Sequence, residues 1–356
     1  MHLSRLEGKN LRRVRSFELR PVPGLNAIFG PNGSGKTTLL EAIYLLGVGR
    51  SFRSAQIGAV ISAGEQGLSV FGRLERVGQD PLAIGVEKSV SHTRIRADGR
   101  DVKTSSEIAK RVPLLFVGPD SVRLLSDGGE ARRRWLDWMV FHVEPNYPAV
   151  VQRYSRALRQ RNALLKEPHQ QESLGVWDAE LIDAGESLET LRSKHFSSIE
   201  AVVGRQIAAL VPQEVGVSYR SGWSKEMSLG EALRAARERD RGAGHTSVGP
   251  HRADVRFTVH GRGAKEILSR GESKLLVAAL HLAQAAYCHE LVGATPLVLV
   301  DELASELDEA NRLKFVAELR ERGSQIFVTA VERDLFPLGQ ASKVFHVEQG
   351  SVREML

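Results

Sequence analysis

"LNAIFGPNGSGKTTLLEAIYLLG", residues 25–47, decides the fold. A short apolar run ends in Gly30, a loop of small residues follows, and a segment with Leu39, Leu40, Ile43 and Leu46 on one side continues to Gly47. Strand, turn and helix in that order form the setting in which Gly-x-x-x-x-Gly-Lys-Thr cradles phosphate. Glycines let successive backbone N–H groups turn towards phosphate oxygens, and the helix start adds unpaired N–H groups and its dipole. Lys36 supplies charge to the β and γ phosphates, and the Thr37 hydroxyl is a ligand for Mg²⁺. Gly30, Pro31, Asn32, Gly33, Ser34, Gly35, Lys36, Thr37 and Thr38 are therefore the candidate nucleotide-binding residues. The helix is expected to stop near Gly47, since glycine is the commonest residue just past a helix end.

A P-loop alone does not name a reaction. "PLVLVDELASELD", residues 296–308, reads as a buried apolar strand ending in Asp301 and Glu302. At such a strand end Asp301 can hold Mg²⁺, while Glu302, pointing the other way along the pleat, can orient or deprotonate an attacking water. A third stretch, "ILSRGESKLL" at 267–276, places Ser269 and Gly271 at the mouth of another helix, a second place suited to phosphate.

The remainder of the chain sets these motifs in a frame. Short β-rich segments such as "LSVFGRLERV" and "LAIGVEK" fill the first part and suggest an antiparallel layer beside the P-loop strand. Helical spacing takes over afterwards, with Leu158, Leu165, Leu181, Leu188 and Leu191 among the periodic positions, and strands return with "DVRFTVH", "PLVLVDE", "QIFVTAV" and "KVFHVEQGSV". The expected architecture is an α/β head of residues 1–118 and 245–356, a mixed P-loop sheet plus an antiparallel layer, split by a mainly helical insertion at 119–244. With 42% apolar and 26% charged residues the chain reads as globular, and its net charge of +6 admits a polyanionic partner without requiring one. A single cysteine, Cys288, excludes an internal disulfide framework and reads as a small buried side chain. No apolar segment is expected to approach the ~20 residues that span a bilayer, and the N-terminus does not read as a signal peptide, so a cytoplasmic location without membrane contact is expected.

P-loop, "LSRGE", Asp-Glu and "ASELD", in that order, resemble the head of an ABC-type ATPase related to those of SMC and Rad50. In that family the signature of one protomer caps the ATP held by another. The resemblance implies an ATP-dependent homodimer with ATP and Mg²⁺ as cofactors, Glu302 catalytic, and Thr37 and Asp301 on the metal. It also implies that Ser269, Gly271 and, at the D-loop, Ser305 and Asp308 act across the interface. Further blocks, "GRSFRSAQ" at 49–56, "GPDSVRLLSDGGEARRRWLDWMVFHVEP" at 118–145 and "VGPHRADVRF" at 248–257, resemble the RecF family of bacterial replication and repair proteins. That likeness implies binding to single-stranded and duplex DNA, to gaps and junctions, RecO and RecR as partners, and help in loading RecA during gap repair and the SOS response.

Two departures stand out. Ala330 occupies the place of the switch histidine, and no Gln lies near Phe116 to Asp120, so slow, DNA-stimulated hydrolysis serving as a switch is expected. Alternatives are an SMC- or Rad50-type head without a role at DNA gaps, and a P-loop kinase, which would need neither signature nor D-loop. Between Lys36 and Ser269 lie too many residues for a transport subunit and too few for a long coiled-coil arm. For DNA contact the candidates are Arg153, Arg156 and Arg159, one helix face with no acid between Glu144 and Glu167. "EARRRWLDW" reads as packing and salt bridges within the fold, and His251 as a core or turn residue rather than a zinc ligand.

Overall fold

The computed structural model describes residues 1–76, 78–167, 174–302, 307–333 and 343–355. They form two compact units, Met1–Ser121 with Cys288–Leu356, and Val122–Tyr287.

The first unit holds two six-stranded sheets. One is antiparallel throughout and runs β2 (Val14–Leu19), β1 (His2–Leu11), β4 (Gly67–Arg76), β5 (Gln79–Ser89), β6 (Thr93–Ala97), β7 (Arg100–Asp101). Its strands alternate: along β4, Leu68, Val70 and Leu74 face the core while Phe71 and Arg73 face water. The other runs β15 (Ser351–Met355), β14 (Lys343–Glu348), β3 (Leu25–Phe29), β13 (Ile326–Ala330), β12 (Leu297–Val300), β8 (Leu114–Val117), parallel except at β14–β15. β12 and β13 are buried at every position, as strands covered on both faces must be, and this explains their unbroken apolar runs.

α1 (Lys36–Val48) lies in one core with side chains of both sheets, where Leu39, Ile43 and Leu46 share a cluster with Leu6 and Val70 on one side and Leu299 and Phe327 on the other. Gly47 does not stop the helix. A Cβ there would sit 3.1 Å from Leu114 Cδ1, so this glycine allows close packing, and the stop falls at Gly49, whose φ of 72° and N–H to Leu45 O (2.9 Å) make a left-handed C-cap. Glu41, fully buried in α1, is neutralised by Arg12, with N–O distances of 2.8 and 2.7 Å. α2 (Ser105–Arg111) and α10 (Glu309–Glu321) complete the unit's helices among the described residues.

The second unit contains α3 (Arg123–Ser126), α4 (Gly129–Val143), α5 (Tyr147–Leu165), α6 (Leu174–Leu210), α7 (Leu229–Ala243), α8 (Ala264–Ile267) and the start of α9 (Arg270–Val292). It differs from expectation at its C-terminal boundary, which falls at Tyr287 rather than 244. "DVRFTVH", here β10 (Asp254–Val259), does not enter the P-loop sheet but is central in an antiparallel sheet with β9 (Gly216–Arg220) and β11 (Arg262–Gly263). A strand's own pattern records that it is half buried, not which partner it pairs with, and β9, lacking buried positions, gave no signal. The signature segment accordingly belongs to the helical unit. α9 corrects a second expectation: its 23 residues are long and apolar enough to cross a bilayer, and 67% of its apolar window is buried inside the protein.

Candidate active site

The P-loop follows from how tightly β3 and β14 run together. A Cβ on Gly30 would lie 2.0 Å from Val347 O, and φ there is 151°, so only glycine allows the chain to leave β3 at this point. Gly35, at φ 119°, caps α1 without any side-chain hydrogen bond, and no acid lies in the first turn of the helix. Buried Lys36 donates to the carbonyls of Gly30 (2.7 Å) and Pro31 (3.0 Å). Burial lowers its pKa, and the charges of Glu302 and Asp301 pull it back up. Ser34 is buried and its Oγ has no hydrogen-bond partner among the described residues, while Pro31, Asn32 and Gly33 are exposed. An uncapped helix start, a buried ammonium and an orphaned hydroxyl on one small loop fit a polyphosphate.

Asp301, one residue beyond β12, completes the site. The Thr37 hydroxyl lies 3.0 and 3.1 Å from its two oxygens, an all-oxygen pair of the hard type that suits Mg²⁺. Thr329 Oγ1, fully buried on β13, donates to Asp301 Oδ1 (2.6 Å) and accepts the Glu302 N–H (2.9 Å). Glu302 is not a strand residue pointing across a pleat, as expected from sequence: its φ is 54°, a left-handed conformation uncommon for a non-glycine residue. Thr329 is what holds that turn. Its one visible signal in the sequence was a lone hydroxyl within the apolar strand "IFVTA".

In the second unit Ser269 and Glu272 open α9 with a reciprocal pair, Ser269 N–H to Glu272 Oε2 (2.9 Å) and Glu272 N–H to Ser269 Oγ (3.2 Å). This is a capping box. Among the described residues Gly271 packs against nothing, since a Cβ there would meet open space. Asp308, expected at the D-loop, caps α10 by accepting the Asn311 N–H (2.9 Å), which holds its carboxyl below the usual range, and Ser305 lies outside the described residues.

The family described as RecF/RecN/SMC N terminal domain matches residues 2–353. The DNA replication and repair protein RecF of Stutzerimonas stutzeri is 39% identical over 362 residues, 100% of this chain and 98% of that protein. That of Thioalkalivibrio sulfidiphilus is 38% identical over 99% of each. The chain belongs to the RecF family. Among solved structures, that of the recombination mediator protein RecF-ATP in the RecFOR pathway matches with a TM-score of 0.89 at 25% identity, over 100% of this chain and 98% of that one.

Blocks that carry the RecF likeness in the second unit prove to be its internal bracing. In "EARRRWLDW", Arg132 pairs with Asp254 (2.8 and 3.1 Å), Arg133 donates to Ala253 O (2.6 Å) and Trp135 Nε1 to Leu280 O (3.1 Å). In "VGPHRADVRF", His251 Nε2 donates to Thr246 O (2.9 Å), which fixes the tautomer and leaves Nδ1 to accept from Tyr154 (2.7 Å). Burial lowers the pKa of this histidine to about 4. Arg161, fully buried, ties α5 to Asp178, Asp240 and Thr246. Of the row expected to face DNA, Arg153 is held by Glu180 and Asp183 of α6. Acids absent from its own sequence neighbourhood arrive from the next helix. Arg156 and Arg159 are exposed.

Proposed function

We propose that this RecF-family chain is an ATP-dependent DNA-binding protein of recombinational repair, in which ATP closes a homodimer on gapped DNA or on junctions of single-stranded and duplex DNA. The reading includes RecO and RecR as partners, a part in loading RecA during gap repair and the SOS response, and a cytoplasmic location. The observation that carries its nucleotide part is the chain of contacts Thr37–Asp301–Thr329–Glu302, and its DNA part is supported by the likeness to RecF proteins. When nucleotide binds, Lys36 exchanges the Gly30 and Pro31 carbonyls for the β and γ phosphate oxygens, and the uncapped start of α1 presents its N–H groups to them. Thr37 and Asp301 would hold Mg²⁺, which supplies positive charge against the phosphate oxygens. Glu302, kept in its turn by Thr329, orients and deprotonates the water.

Ala330 brings no imidazole to the γ-phosphate, and turnover on this account is slow and raised by DNA. Ser269 and Gly271, with Ser305 and Asp308 of the D-loop stretch, are assigned to the partner's nucleotide. Arg156 and Arg159 supply phosphate-backbone contacts.

The test is retention of the protein on single-stranded, duplex and gapped DNA with and without ATP. ATP should strengthen retention, most on gapped DNA. Replacing Arg156 and Arg159 with Ala should flatten the slope of log affinity against log salt by up to about 0.9 per lost contact on duplex. Retention indifferent to ATP contradicts the switch, and an unchanged slope moves the DNA off α5.

A further inference from the structure

The signature helix carries a charge where a phosphate is to arrive. Glu272 stands third in α9, its carboxylate accepts the Ser269 N–H (2.9 Å), and Ser269 Oγ is turned to the Glu272 N–H (3.2 Å). The second carboxylate oxygen lies 3.4 Å from Gln213 Nε2, a side chain just beyond the end of α6. Glu272 thus occupies the donors of Ser269 and is itself held from a different element. Ser269, its Oγ and the open space over Gly271 are the features that the dimer reading assigns to the partner's nucleotide. A capping box is ordinary helix chemistry, but an ionised carboxylate and a γ-phosphate cannot share one set of N–H donors without repulsion. The Ser269 N–H and hydroxyl, with the Gln213 amide, hold the Glu272 carboxyl below the usual carboxylate range, so it remains charged at neutral pH.

We propose that the Gln213–Glu272–Ser269 contact is autoinhibitory: the Glu272 carboxylate competes with the partner's nucleotide phosphate and must leave Ser269 for ATP to close the dimer. The proposal rests on the dimer reading given above. It makes the signature helix a gate rather than a preformed cradle, and the cost of opening it sets how much ATP is needed for closure. Nothing in it involves the chain's own P-loop, whose α1 start has neither cap nor acid.

Glu272→Gln keeps the shape and a capping amide but removes the charge, and Glu272→Asp keeps the charge on a shorter arm. With full-length protein, self-association measured by sedimentation at a series of Mg-ATP concentrations should tighten about tenfold in Glu272→Gln, the size expected when two solvent-exposed like-charge contacts vanish. The gain should shrink in high salt, which a merely structural role would not produce. Glu272→Asp should show no gain, and ATP affinity of each chain's own P-loop should match wild type in both. If wild type dimerises with ATP and Glu272→Gln does so equally or less well, the gate is overturned while the dimer reading stands. If neither dimerises with ATP, both are overturned. A gain unaffected by salt, or one shared by Glu272→Asp, also overturns the gate, because charge is then not its cause.

Discussion

Two helices in this protein begin where a phosphate is expected, and they begin differently. α1 starts from Gly35 in a left-handed conformation, with no side-chain cap and no acid in the first turn, and its first residue, Lys36, donates to the backbone carbonyls of Gly30 and Pro31. α9 starts from a capping box with Glu272 in its first turn. A helix left uncapped gives up the ~1 kcal/mol that a cap typically contributes, and its N–H groups stay available. A capped helix is locally stable and has to be uncapped to serve. The contrast teaches that the two helix starts differ in readiness: on the proposed reading, the P-loop takes nucleotide in a single chain and the signature acts once ATP, carried by a second chain, displaces the cap.

The sharpest way to break the comparison is at the chemistry. Glu302→Gln should leave ATP binding at α1 intact and lower turnover by the ~10²- to 10⁴-fold typical of losing a general base, while the ATP-dependent dimer persists longer. Wild-type turnover in this variant would place water activation elsewhere than Glu302.

A smaller effect separates the units themselves. Burial lowers His142, His251 and His281 of the second unit from an ordinary 6.5 to about 4. The unfolded chain takes up these protons as pH falls through 6.5 and the folded unit refuses them until about 4, so stability is lost across that window and not above it. Each histidine accounts for roughly 3 kcal/mol by the bottom of the window. Hydrogen exchange followed from pH 7 to 5 should show α4, the part of α9 around His281 and the segment around His251 loosening before the P-loop sheet does. Equal loosening in both units would mean that these side chains are not buried neutral.

How much of this could be read beforehand follows from where the partners lie in sequence. The P-loop was legible because strand, glycines, lysine and helix are contiguous, and β12 with Asp301 because a wholly buried strand ending in acids is rare. Thr329 was not, since its role comes from a neighbouring strand 28 residues after Asp301. The acids that pair with Arg153 are hidden from local sequence for the same reason, being supplied by α6. Gly47 reads as a stop in sequence because the reason for a glycine there, the Leu114 side chain, lies across the core. Local chemistry writes itself into local sequence, and pairing between elements does not.

The central claim is that α9 of one chain completes the site built on α1 of another, and one mixing experiment tests it most directly. Lys36→Met should bind ATP poorly, and Ser269→Arg should bind ATP at its own P-loop but fail to pair, because a bulky cation now fills the place the partner's phosphate enters. Neither variant should hydrolyse ATP alone. Mixed, they can form a heterodimer in which ATP on the Ser269→Arg chain meets the intact signature of the Lys36→Met chain, and the account predicts that part of the wild-type ATPase rate returns in the mixture. Ser269→Arg forming the ATP-dependent dimer by itself and turning over ATP at the wild-type rate would contradict it.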